Sequence, residues 1–328
     1  MKAIVCDKYG SPDVLRLEEV ERPSPTGDQM LVKVMAASVN AGDWHLLRAD
    51  PFLVRLAFGL FRPKVRILGL DVAGIVEAVG DSVSRFKPGD EVFGDISSNG
   101  FGGFAEYVCA SESAFAFKPA SLSFEEAAAV PAAGMTALQA LRDKGKVRAG
   151  QRVLIHGASG GVGSFAVQLA RSLGAEVTAV CSTRNVERVR ELGATHVIDY
   201  TREDFARGDG RYDVILSANG TRSIFDFRRA LRPGGTFVST GGSTGQLFQA
   251  LLLGPLLSLG GKVRMTNFLV SPNGADVAVL ADLIERGEIR PVIDRRYPLE
   301  EVPDAIRYLE EGHAQGKVVI TVAEGAGT

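Results

Sequence analysis

The chain is poor in the residues that build metal sites and disulfide frameworks. Three cysteines, Cys6, Cys109 and Cys181, and four histidines, His45, His156, His196 and His313, are spread over 328 residues. An odd number of distant thiols argues against a disulfide framework and fits a reducing compartment. Neither Cys-x-x-Cys nor His-Glu-x-x-His occurs, and the histidines lack ligand spacing, so no metal is expected. Long apolar runs are also lacking. Leu247 to Leu259 is the most apolar stretch, but Gly254-Pro255 breaks it and it is too short to span a bilayer. Met1-Lys2-Ala3-Ile4-Val5-Cys6-Asp7 reaches a charge too soon for a signal peptide. A net charge of −2 without a block of either sign argues against a nucleic-acid or membrane surface. A cytoplasmic protein with neither of those partners is the expectation.

Glycine, by contrast, is abundant, at 38 residues, which suits many tight turns. The length predicts about two domains. Residues 1–122 are rich in short strands and turns, among them a type II turn at Lys87-Pro88-Gly89-Asp90, and predict a barrel-like, mainly β domain. At Ser123-Phe124-Glu125-Glu126 a capping box opens a helix, and Pro131 starts another. Strands are then predicted at 152–156, 176–181, 196–198, 213–217 and 235–240, with helices between them. A sixth strand is predicted at 262–267. This alternation predicts an α/β fold with a doubly wound parallel sheet. The tail adds helices near 275–286 and 303–311 and a last strand at 317–322.

One motif carries most of the chemistry. The apolar run Val153-Leu154-Ile155 leads into His156-Gly157-Ala158-Ser159-Gly160-Gly161-Val162-Gly163. An apolar face at helical spacing follows, Val162, Ala166, Leu169, Ala170 and Leu173, closed by Gly174. Strand, glycine turn and helix receive a dinucleotide pyrophosphate on the unpaired N–H groups and positive dipole of the helix start. Gly160 lets backbone approach the phosphates, and Gly163 lets the helix pack closely. The second strand, Val177 to Val180, ends in Cys181-Ser182-Thr183-Arg184 with no acid. A carboxylate there would bind a ribose 2′-hydroxyl, whereas hydroxyls and a guanidinium suit a 2′-phosphate, so NADPH is the expected cofactor.

Together with Ala37-Ser38-Val39-Asn40-Ala41-Gly42-Asp43, Gly69-Leu70-Asp71-Val72-Ala73-Gly74, Phe86-Lys87-Pro88-Gly89-Asp90-Glu91-Val92, Leu192-Gly193-Ala194 and Gly316-Lys317-Val318-Val319, the chain resembles the medium-chain dehydrogenase/reductase superfamily, in its zinc-free quinone oxidoreductase branch. The resemblance implies a Rossmann domain (123–267) inserted in a GroES-like catalytic domain (1–122) that the segment 268–328 completes. It implies that Gly160, Gly161, Val162 and Gly163 cradle the pyrophosphate and that Ser182, Arg184 and Tyr200 bind the adenosine ribose phosphate. Asn219 and Gly241 would face the cofactor from strand ends, and Thr136, Phe268 and Lys317 would lie near the nicotinamide. Zinc alcohol dehydrogenases place Cys where this chain has Asn40 and His-Glu where it has Leu70-Asp71. Their proton relay is broken here by Gly42, which leaves His45 as a helix-surface residue.

Without a Lewis acid, hydride delivery to a quinone or α,β-unsaturated carbonyl is easier than alcohol oxidation, because the acceptor delocalises the charge. Asn40 and Asp43 are the candidates for organising that site, though Asp43 equally suits the cap of the following helix. Trp44 and Phe52 are candidates for contacting a hydrophobic small-molecule acceptor. Phe52, Leu56 and Leu60 recur at i, i+4 and i+8 and would either roof the site or pack into the core. The resemblance implies a homodimer through the outer strand of the nucleotide sheet, here Gly261 to Thr266. Two alternatives remain. One is a non-catalytic NADPH-binding or redox-sensing protein. The other is a serine hydrolase using Ser159 in Gly157-Ala158-Ser159-Gly160-Gly161 with His313, against which Gly163 and the hydroxyl–Arg strand end count.

Overall fold

A computed structural model describes residues 1–207, 211–218, 222–241, 253–254, 257–258 and 261–323. Its strands are β1 (Lys2–Val5), β2 (Arg16–Glu19), β3 (Gln29–Val39), β4 (Asp71–Val79), β5 (Glu91–Asp95), β6 (Tyr107–Ser111), β7 (Phe115–Phe117), β8 (Arg152–His156), β9 (Glu176–Cys181), β10 (His196–Asp199), β11 (Tyr212–Ser217), β12 (Leu231–Ser239), β13 (Val263–Asn267), β14 (Ile293–Pro298) and β15 (Lys317–Thr321). The chain divides into two compact units. One comprises Met1–Ala132, Pro272–Gly287 and Pro291–Thr328, and the other Ala133–Ser271 and Glu288–Arg290. The helix Phe124–Ala128, opened by the Ser123–Glu126 capping box, belongs to the first unit, whose opening segment ends at Ala132 rather than at the expected 122.

The first unit is a mixed sheet in the order β14-β15-β3-β4-β5-β7, with β6 also on β3. Its centre is β3, an apolar strand of eleven residues buried along nearly its whole length. A strand with partners at both edges and cover on both faces favours such a near-continuous Val, Met and Ala run. The C-terminal β15 pairs antiparallel with β3 through Val318 and Val39, so the last strand of the chain completes the sheet begun at its start. β14 lies parallel to β15.

The second unit is the doubly wound sheet that the alternation predicts, six parallel strands in the order β10-β9-β8-β11-β12-β13. Phe227 stacks on Phe205 at 5.1 Å and on Phe237 at 4.8 Å, and His156 meets Phe205 and Phe227 edge-on at 5.4 Å. His156 is therefore a packed core residue, the role its strand position predicts. β13 forms one edge of this sheet, and no strand among the described residues covers its outer side.

The segment 51–61 departs from one of its two expected roles. A short helix forms at Val54–Phe58, and Val54 and Phe58 pack on the core. Phe52, Leu56 and Leu60, however, are 63%, 68% and 45% exposed. The core-packing alternative for that face does not hold, because the opposite side of the helix takes the core contact. No helix among the described residues is long and apolar enough to cross a membrane.

Candidate active site and nucleotide turn

In the first unit three strands converge on one buried polar cluster. Lys317, the first residue of β15, is 3% exposed, and its Nζ lies 3.2 Å from Asp71 Oδ2 at the start of β4. The same ammonium donates to Asn40 Oδ1 at the end of β3. Asp71 is fully buried and its Oδ2 also accepts from Ser38 Oγ at 2.8 Å and Asn40 Nδ2 at 2.9 Å. Its Oδ1 accepts from the Ala132 N–H at 2.8 Å. A buried carboxylate needs such a complete set of donors, since desolvation would otherwise exceed the Coulombic gain. Asn40 supplies both signs: its carbonyl takes the ammonium and its amide nitrogen serves the carboxylate.

Asp43 stands at the third position of the helix Ala41–Arg48 and is fully buried. One oxygen accepts from the Asn40 N–H at 2.8 Å and the other from the Gly69 N–H at 2.9 Å. It braces the turn that carries Asn40 against the loop that leads to Asp71. Burial, the largest effect, pushes its carboxyl up to about 7. Asp95, opposite Asp71 on β5, is likewise pushed up to about 7, by burial first and then by the negative charge of Asp71. Trp44 is half-buried on the core and stacks on His45 at 3.6 Å, while His45 Nδ1 meets the Asp50 carbonyl at 2.6 Å.

In the second unit the turn after β8 carries the helix Gly161–Ser172, whose start has no side-chain cap. Its first N–H groups have no intrahelical partner. A Cβ at Gly160 would meet nothing nearer than the Gly157 carbonyl oxygen at 3.7 Å, so backbone lies open to a ligand there. At Gly163 a Cβ would stand 2.1 Å from that same oxygen, so this glycine lets the helix close on its own turn. A dinucleotide pyrophosphate fits this arrangement. Ser182 begins the 3-10 turn Thr183–Asn185, where Arg184 is exposed. Tyr200 is 61% exposed and its N–H donates to the Cys181 carbonyl at the end of β9. Gly241 follows β12, Thr136 lies on the helix Pro131–Gln139, and Phe268 is buried beneath Lys144. Asn219 lies outside the described residues.

Two features here escape a reading of the sequence. The second strand ends without an acid of its own, but β10 brings Asp199 beside it, and Thr183 Oγ1 donates to Asp199 Oδ2 at 2.6 Å. Thr183 is therefore committed to a carboxylate, in contrast to the expectation that its hydroxyl serves a 2′-phosphate. The Thr183 hydroxyl, aided by Thr201, holds that carboxyl below the usual range. The other feature concerns Ser159, whose bonded side-chain neighbour is the Asn185 amide at 3.1 Å, a group that cannot act as a base. The hydrolase alternative has no proton acceptor in that contact.

Lys317→Met should cost about 3–5 kcal/mol in urea unfolding, because it leaves Asp71 buried without its counter-charge. Adding Asp71→Asn to that variant should recover part of the loss; an equal or greater loss in the double variant would show that the charge pair is not what matters. Asp95 gives a pH signature. Its carboxyl binds a proton more tightly folded than unfolded, so its contribution is in place below about pH 4 and is lost as pH rises through 7. Asp95→Asn should therefore raise stability more at pH 8 than at pH 5, and denaturant melts giving equal gains would contradict this.

The family described as alcohol dehydrogenase GroES-like domain matches residues 26–120, and that described as zinc-binding dehydrogenase matches residues 192–320. The chain is 36% identical to the 2-methylene-furan-3-one reductase of Solanum lycopersicum, over 98% of its own length and 79% of the relative's. It is 35% identical to the chloroplastic NADPH-dependent alkenal/one oxidoreductase of Arabidopsis thaliana, with the same coverage. The structure of the quinone oxidoreductase from Coxiella burnetii superposes with a TM-score of 0.86 at 34% identity, covering 98% of this chain and 99% of that one. With its GroES-like and Rossmann folds and these relatives along almost its entire length, the chain belongs to the medium-chain dehydrogenase/reductase superfamily of oxidoreductases, in the quinone oxidoreductase-like branch.

Proposed function

We propose that the protein is a zinc-independent, NADPH-dependent reductase of quinones or α,β-unsaturated carbonyl compounds. The observation that carries this reading is the buried Lys317 ammonium between Asn40 and Asp71. At these positions the zinc alcohol dehydrogenases bring Cys and Glu. Here one amide and one carboxylate already hold a cation of their own, and a metal ion would have to enter against that charge with poor ligands. The donor set does not fit zinc, despite the name of the matching family. Among the described residues no group of three or more His, Cys, Asp or Glu is placed to hold a metal.

A bound reduced nicotinamide supplies the hydride. The chain's part is to hold it and the acceptor in register and to limit water. Gly160, Gly161, Val162 and Gly163 bind the pyrophosphate through backbone N–H groups, and Ser182, Arg184 and Tyr200 bind the 2′-phosphate end. Gly241, Thr136 and Phe268 serve the nicotinamide half, as does Lys317 from the polar cluster. Asn40 orients the Lys317 ammonium, and Asp43 acts as a positioning residue, since both its oxygens are taken by backbone donors. The proton that completes reduction comes from solvent.

The relatives named as reductases of an alkylidene furanone and of alkenals support an activated alkene as acceptor, and the quinone oxidoreductases support a quinone. Exposed Phe52 and half-buried Trp44 favour flat, hydrophobic acceptors of either class. The uncovered edge of β13 favours a two-fold dimer, to be read as a dimer mass in light scattering. Buried Cys6 and Cys181 and the unpaired Cys109 agree with a reducing compartment such as the cytoplasm.

Consumption of NADPH and NADH with quinones, alkenals and cyclic enones tests the reading. NADPH should be preferred, and Arg184→Ala should cut that preference about tenfold to a hundredfold, the worth of a charged hydrogen bond. Equal use of both cofactors by the parent protein would refute the NADPH assignment, and no turnover with any acceptor class would refute the activity.

A further inference from the structure

One side chain joins the glycine turn after β8 to the end of β9. Asn185 precedes the helix Val186–Glu191 and is 3% exposed. Its Nδ2 donates to Ser159 Oγ and to Ser182 Oγ, each at 3.1 Å. Its own N–H donates to the Ser182 carbonyl at 2.9 Å, which fixes the turn between them. An amide nitrogen only donates, so each serine oxygen is used as an acceptor toward Asn185. Each serine hydrogen is then left to be given elsewhere. A phosphate offers acceptors, so two hydroxyls set in this sense are matched to an anion. Thr183 is set in the opposite sense: it spends its hydrogen on Asp199, whose other oxygen takes the Thr201 N–H at 3.0 Å and Oγ1 at 2.8 Å. One hydroxyl thus satisfies the neighbouring acid, and two accept from the Asn185 amide nitrogen.

We propose that Asn185 is a positioning residue for cofactor selection, whose amide sets Ser159 and Ser182 as hydrogen-bond donors to the pyrophosphate and the 2′-phosphate. This rests on the reading that the two turns hold those phosphates. Asn185 touches neither phosphate in this scheme. It acts by deciding which way two hydroxyls donate and by holding the two loops at one spacing.

Calorimetric titration with 5′-AMP and with 2′,5′-ADP, which differ by the 2′-phosphate alone, gives a ratio of dissociation constants that a merely structural role would not move. Asn185→Ala should lower the ratio severalfold, because it frees the Ser182 hydroxyl to turn. Asn185→Asp keeps the volume, so it also serves where the alanine variant fails to fold. It should lower the ratio further, since a carboxylate takes both serine hydrogens and makes the serines acceptors. In a Ser182→Ala background, Asn185→Ala should lower the ratio no more. A parental ratio in Asn185→Asp, or fully additive losses with Ser182→Ala, would overturn the inference. A ratio near unity in the parent protein would instead remove the 2′-phosphate reading itself, and this inference with it.

Discussion

The buried ammonium of Lys317 governs the first unit. It needs counter-charge and acceptors, and it obtains them from Asp71 and Asn40, residues 246 and 277 positions away in the chain. Removing two charges from water is expensive, so such a pair adds little net stability over apolar residues of the same size. What it does supply is register. A slip of β15 by one residue along β3 would turn Lys317 to the other face of the sheet and leave Asp71 without its partner. The pairing of Val318 with Val39, the arrival of Ala132 at Asp71 and the brace from Asp43 to Gly69 all serve the same cluster.

The two units treat charge in different ways. The first concentrates Asp43, Asp71, Asp95 and Lys317 in its interior, where burial raises the Asp43 and Asp95 carboxyls. The second offers its glycine turn with no charged side chain, relying on backbone N–H groups and on hydroxyls whose direction neighbouring side chains decide. The acid beside the end of β9, Asp199, is satisfied by Thr183 and Thr201. A preformed, satisfied cluster in one unit and open donors in the other is the division expected of an enzyme that must bind a polyanion without storing a free negative charge near it.

Much of the nucleotide unit was legible in the sequence because its strands are short apolar runs bounded by glycine. The strands at 152–156 and 176–181 match the predicted limits to the residue, and the sixth begins one residue later than expected. The polar cluster was less legible. Asn40 and Lys317 each stand in a recognisable motif, but nothing in either motif states that they meet across three strands. Asp43 is ambiguous in the sequence between cap and catalyst; its bond from the Asn40 N–H is the cap, and the bond from the Gly69 N–H makes it a brace as well. Asp199 and Asn185 escaped because each acts on a neighbouring strand or turn, where sequence spacing gives no sign. For Phe52, Leu56 and Leu60 the period was readable, but a helix of five residues carries too little pattern to tell which side meets the core.

In the function proposed above, Lys317, Asn40 and Asp71 stand in place of a metal centre, and hydride goes to an already activated acceptor. The most direct measurement is NADPH-dependent reduction of a quinone or alkenal by protein exhaustively dialysed against a strong chelator, paired with elemental analysis of the same sample. No stoichiometric zinc is expected before or after dialysis, and the rate should be unchanged. Stoichiometric zinc in the purified protein, with activity lost on chelation and restored by adding the metal back, would contradict it.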